Sequence, residues 1–110
     1  MVVRPWTEIS SRPISEQLIR ELFPFAEGYR FFPNRYDCRV TFPSSVSQPF
    51  RLYVFEGKCT YRSDAGLVTV QGAEYVDLLP NRYEFAVSNE AAVRLMKVYK
   101  LPAALTSMAD

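Results

Sequence analysis

Histidine is absent from this 110-residue chain. That excludes a serine–histidine triad, a histidine general base and a histidine-ligated metal site. Cysteine is scarce: Cys38 and Cys59 have no metal-ligand spacing, which fits a reduced cytoplasmic protein better than a disulfide scaffold. No charge of one sign dominates. Thirteen basic and 12 acidic residues leave a formal charge of +1, so no electrostatic footprint for nucleic acid or an anionic membrane is expected. No apolar run approaches the length of a bilayer span, and the start, Met1-Val-Val-Arg-Pro-Trp6, has no apolar signal-peptide core. A chain of this mass buries about two thirds of its unfolded surface, enough for one core and not two.

Within that frame, Ile14 to Phe23 reads as a short helix. Ser15 is its N-cap, Glu16 lies at the positive end of its dipole, and Ile14 and Ile19 stand at hydrophobic-staple positions. Leu18, Ile19, Leu22 and Phe23 form one apolar stripe, and Pro24 ends the helix. From about Tyr29 the period changes to two. Tyr36, Cys38, Val40 and Phe42 alternate with polar residues, which predicts one strand, and Cys38 reads as a small buried residue on it. A polar loop is expected from Pro43 to Pro49. Further strands are expected over Phe50–Phe55, Lys58–Arg62, Leu67–Val70, Tyr75–Leu79, Tyr83–Val87 and Ala92–Leu101, divided by turn residues such as Ser63-Asp64-Ala65-Gly66. Many short strands with regular turns predict an all-β sandwich or barrel.

Arg51-Leu-Tyr-Val-Phe-Glu-Gly57, the Asp64–Gly66 hairpin, Gln71-Gly72 and Leu79-Pro80-Asn81 together resemble the cupin superfamily. Gly57 matches the glycine closing that family's first motif. Gly72 matches the glycine opening its second, followed by Pro80 and Asn89. The resemblance covers residues 36–102 and implies a jelly-roll β-barrel, with residues 1–34 as an arm and short helix packed on a barrel of residues 35–102, and 103–110 as a tail. The metal-ligand positions are lost. Phe50 stands for the first-motif glutamate and Phe85 for the second-motif histidine, while Val46 or its serine neighbours occupy the remaining histidine positions. No cofactor or metal is therefore expected.

In the cupin register Phe50, Leu52 and Val54 point into the barrel, faced by Tyr83, Phe85, Val87 and Asn89. The polar residues placed to converge on such a cavity are Arg39, Tyr61, Asp77, Tyr83, Glu84 and Asn89. Arginine would fork onto a carboxylate or phosphate, and tyrosine would stack or donate its hydroxyl. The same alternation turns Tyr53 and Phe55 outward, where the helix, the arm or another subunit must cover them. A homodimer through these two aromatics is expected, with residues 1–34 wrapping the face as the alternative. Three functions fit this pattern: a metal-free domain binding a small polar ligand, a cofactor-independent isomerase, epimerase or cyclase, and an interaction protein with a filled barrel.

Overall fold

The computed structural model describes residues 1–102; the expected tail lies outside them. The helix forms over Glu16–Leu22 (α1), and the Ser15 hydroxyl oxygen accepts from the Leu18 N–H at 3.1 Å, as a cap should. Nine strands form among the described residues, and β4 to β9 match the expected segments closely: β1 (Arg4–Pro5), β2 (Tyr29–Tyr36), β3 (Thr41–Val46), β4 (Phe50–Glu56), β5 (Lys58–Ser63), β6 (Gly66–Gln71), β7 (Glu74–Leu78), β8 (Asn81–Val87) and β9 (Val93–Lys100). They form two antiparallel sheets, ordered β1-β7-β4-β9-β2 and β3-β8-β5-β6. Among the described residues no ladder joins the two sheets, so the expected closed barrel is instead an open sandwich. No helix there is long and apolar enough to cross a membrane.

Two apolar clusters hold this arrangement. The first lies between the sheets and contains Phe50, Leu52, Val54, Tyr61, Tyr83, Phe85, Val87, Val93 and Leu95. The expected inward parity of β4 and β8 is therefore correct, except at Asn89, which is exposed in the turn after β8. The second cluster lies on the outer face of the five-stranded sheet. There Trp6, Leu18 and Ile19 of the N-terminal segment pack on Tyr53, Phe55, Tyr75, Met96 and Val98. Trp6 meets Tyr53 edge-on at 5.8 Å, and its indole N–H donates to the Arg12 carbonyl at 2.7 Å.

This second cluster corrects the expectation that Tyr53 and Phe55 anchor a subunit interface. Tyr53 is 1% exposed and Phe55 9%, because the chain's own first residues already cover them. The alternative weighed for this face, wrapping by the arm, is what the structure displays. Residues 29–34, expected within that arm, are themselves part of β2, an edge strand paired with β9.

The single strand expected over residues 36–42 is divided. The chain leaves the larger sheet at Tyr36, turns through residues 37–40 with Arg39 at φ 68°, and enters the smaller sheet at Thr41. Cys38 lies in this turn and is exposed, not buried. Its even parity with Tyr36 and Val40 survives a turn as readily as a strand. The expected loop after Pro43 is mostly β3. Proline cannot donate to a ladder, but β3 is an edge strand paired only with β8, so Pro43 forfeits no bond.

Two outcomes test this packing. Ile19→Ala, at a fully buried position, should lower unfolding stability by about 2–5 kcal/mol in denaturant titration. Gly57 has φ +83°, and an added Cβ would be driven into the Ala92 carbonyl and within 2.9 Å of the Val93 Cα, whereas Gly66, at φ +125°, has open space around it. Gly57→Ala should therefore depress the thermal midpoint more than Gly66→Ala, since only the first adds a backbone clash to the conformational strain.

Candidate functional site

β9 lies between β4 and β2 and sends Val93, Leu95, Lys97 and Tyr99 to the inner face of its sheet. The first two are buried; the alternation then places a lysine, half-buried, where a third aliphatic residue would continue the core. β2 adds Arg30, Phe32 and Asn34 with the same two-residue spacing, and β3 and the segment after it add Ser44, Val46 and Gln48. These edges of the two sheets stand apart, and a cavity of about 470 Å³ opens between them. That volume is in the range of small-molecule sites.

One wall is aromatic. Tyr99 meets Phe32 edge-on at 5.5 Å and Phe50 at 5.3 Å. The other wall carries the serine hydroxyls and the Asn34 and Gln48 amides. Among the described residues, Arg30 and Lys97 are the only charged side chains that line the cavity, and no carboxylate does. Arg30 Nη1 donates to the Tyr29 carbonyl at 2.8 Å and the Phe25 carbonyl at 3.1 Å, while its guanidinium stacks 3.6 Å from the Phe25 ring. These bonds orient the rest of the fork. Lys97 forms no ion pair among the described residues; its Nζ lies 5.3 Å from the Phe50 ring centroid. Burial depresses the Lys97 amine below the ordinary lysine range and raises the Tyr99 phenol.

The residues expected to form a site do not converge. Tyr61 and Tyr83 are core residues, their rings edge-on at 5.7 Å, and the Tyr83 hydroxyl donates to the Leu79 carbonyl at 2.7 Å. Glu84 alternates with Tyr83 and Phe85 and is exposed on the opposite face of its sheet. Arg39 and Asn89 are exposed in neighbouring turns, tied by the Arg39 N–H to the Ser88 carbonyl at 3.3 Å. Asp77 lies on the outer face of the larger sheet and accepts from Arg51 Nε at 2.7 Å and Nη2 at 3.0 Å. It lines a separate hollow of about 380 Å³ with Tyr53 and Lys100. There Asp77 holds the Arg51 guanidinium above its ordinary range, and burial raises the Tyr53 phenol.

The two cysteines also stay apart in character. Cys59 is buried between the sheets, and burial pushes its thiol up to about 12. Neither Cys38 nor Cys59 joins a metal-binding group. Among the described residues no cluster of three or more cysteine, aspartate or glutamate side chains is suited to an ion, and the cavity offers hydroxyls, amides and amines. That donor set does not fit the transition metal that the cupin resemblance would bring. Lys97 was missed in the sequence, although it is the one charge interrupting the alternation of Val93, Leu95 and Tyr99. Ser44 was hidden by the reading of its segment as a loop.

No protein-family profile matches the chain, and no curated protein matches it. Solved structures do. The Cupin_2 domain of an XRE-family transcriptional regulator from Enterobacter cloacae superposes with a TM-score of 0.60 at 14% identity, over 92% of this chain and 96% of that one. The protein described as ethanolamine utilization protein Q from Salmonella typhimurium gives 0.58 at 16% identity, over 66% of this chain but only 58% of its own length. A sugar phosphate isomerase of the cupin superfamily from Silicibacter pomeroyi gives 0.53 at 16% identity, covering 68% and 52% of the two chains. The chain thus has the fold of the cupin superfamily.

Proposed function

We propose that this chain binds a small organic anion with an apolar or ring-bearing part, in the cavity between β2 and β3. The observation that carries this reading is Lys97, a half-buried cation in a cavity to which the described residues bring a second cation and no carboxylate. An ammonium group removed from water is unfavourable unless a counter-charge meets it. A carboxylate or phosphate supplies that charge, with the Arg30 fork beside it. Phe32, Phe50 and Tyr99 offer faces and edges for a ring or hydrocarbon segment. Asn34, Ser44 and Gln48 offer donors and acceptors for hydroxyls. A sugar phosphate, the kind of molecule named for the Silicibacter pomeroyi protein, meets the anionic and hydroxyl requirements.

The test compares charged and neutral pairs by calorimetry and chemical-shift titration: benzoate against benzamide, and glucose 6-phosphate against glucose. Binding of an anion with shifts centred on Lys97 and Tyr99 is expected. Equal response to the neutral partners, or no response to either anion, would overturn the reading. Lys97→Met should weaken the anion by about tenfold or more, the scale of one hydrogen bond to a charged group. The same variant should unfold at a higher temperature, because an uncompensated cation has been replaced by an apolar side chain of similar length.

The pH dependence has a definite sign. Burial holds the Tyr99 phenol protonated to higher pH than an ordinary tyrosine and makes Lys97 lose its proton at lower pH than an ordinary lysine. Anion affinity should therefore fall as pH rises through the depressed Lys97 pKa, before the ordinary lysine range near about 10.4 is reached. Stability without ligand should move the other way. A lysine with a lower pKa folded than unfolded destabilises the fold while it is protonated, and that penalty is relieved as pH rises.

A further inference from the structure

We propose that Lys97 is a covalent anchor, forming an imine with an anion that also carries an aldehyde or ketone; this rests on the anion-binding reading. The geometry separates Lys97 from the chain's other two lysines. Lys58 is exposed on β5, and Lys100 is exposed on the opposite face of β9, its Nζ 5.2 Å from the Tyr29 ring centroid. Lys97 projects into the larger of the two cavities described, from a strand fixed on both sides by β4 and β2, whereas Lys100 borders the hollow on the outer face. Among the described residues no carboxylate pairs with it, and Val46, Phe50 and Tyr99 line the same cavity. A lysine so placed is a nucleophile toward carbonyl carbon. Burial supports the assignment by enlarging the neutral fraction of the amine at a given pH.

The chemistry balances without a cofactor or redox partner. The Lys97 Nζ lone pair forms a bond to the carbonyl carbon as the C=O π pair moves to oxygen. Proton transfer from nitrogen to that oxygen gives the carbinolamine. The carbinolamine hydroxyl then takes a second proton and leaves as water, and nitrogen closes the C=N bond. The resulting iminium returns that proton to solvent, so one water is the only product besides the imine. Ser44 and Tyr99 line the same cavity and supply hydroxyls for the proton relay, while Arg30 keeps the anionic end in place. A ligand of this class is an oxo-acid or a phosphorylated aldehyde or ketone.

Reductive trapping tests the assignment. The full chain is treated with 4-formylbenzoate and sodium cyanoborohydride at neutral pH, and the reduced adduct is mapped by peptide mass spectrometry. The N-terminal amine, which labels in most proteins, is mapped separately. Labelling of Lys97 at least tenfold above Lys58 and Lys100 is expected. Excess 4-methylbenzoate should suppress it, and Lys97→Arg should lose it while retaining the wild-type thermal transition. If 4-methylbenzoate binds in the cavity but the adducts spread over Lys58 and Lys100 by exposure, the imine is overturned and the anion site stands. If 4-methylbenzoate does not bind and Lys97 is not preferred, both are overturned.

Discussion

The Gly72 N–H donates to the Gly57 carbonyl at 3.0 Å, and much of the architecture depends on what meets there. The chain passes between the sheets twice at this corner, from β4 into β5 through Gly57 and from β6 into β7 through Gly72 and Ala73. Gly57 lies so close to Ala92 and Val93 that a side chain would strike backbone. The Ala73 N–H reaches the Val54 carbonyl at 2.9 Å, and the Trp6 N–H reaches the Ala73 carbonyl at 2.8 Å. One corner thus fixes both crossings, the start of β9 and the entry of the N-terminal segment. The chain also crosses between the sheets at the Phe50 end, from β3 into β4 through residues 47–49 and from β7 into β8 through residues 79–80, and the cavity opens beside these crossings.

The run Leu52-Tyr53-Val54-Phe55 has a second meaning in this frame. A strand with one wet face alternates apolar and polar residues; a strand apolar at every position must be covered on both faces. Here the first cover is the smaller sheet and the second is the segment from Trp6 to Phe23. The covering segment contributes a single short helix, which would be marginal alone and gains its stability from the sheet it covers. The two-sided burial of β4 is therefore solved within one chain.

Most of the element plan was legible because its signals are local. The Ser15 cap, the Ser63–Gly66 turn and the parity of Phe50, Leu52 and Val54 each follow from a few adjacent residues. The glycine spacing at Gly57 and Gly72 was legible too, since close backbone approach accepts little else. The misreadings have a common cause: the answer lay in which strands are edges. Pro43 suggests a loop until β3 proves to have a free side, and Cys38 suggests a buried strand residue until the chain changes sheets beside it. The candidate site failed similarly. Arg39, Asp77, Glu84 and Asn89 are polar residues near the right strands, but parity alone could not place two sheet faces and two turns in space. Lys97 broke an apolar alternation, which marks it better than polarity alone.

The order β1-β7-β4-β9-β2 also has a kinetic consequence. β9, the last strand among the described residues, is interior to the larger sheet, and β2, far earlier in the sequence, pairs among those residues with β9 alone. During synthesis the early segments have no completed surface to settle on. The helix face bearing Leu18 and Ile19 waits for Met96 and Val98, made some 75 or more residues later. Such wide sequence separation slows folding and leaves apolar segments open to wrong partners in the interval. Loss of the chain after Ala92 would not shave an edge from this protein. It would remove the seam between its first and middle thirds, so a nascent chain interrupted there is a substrate for chaperones and proteases and not a partly folded domain.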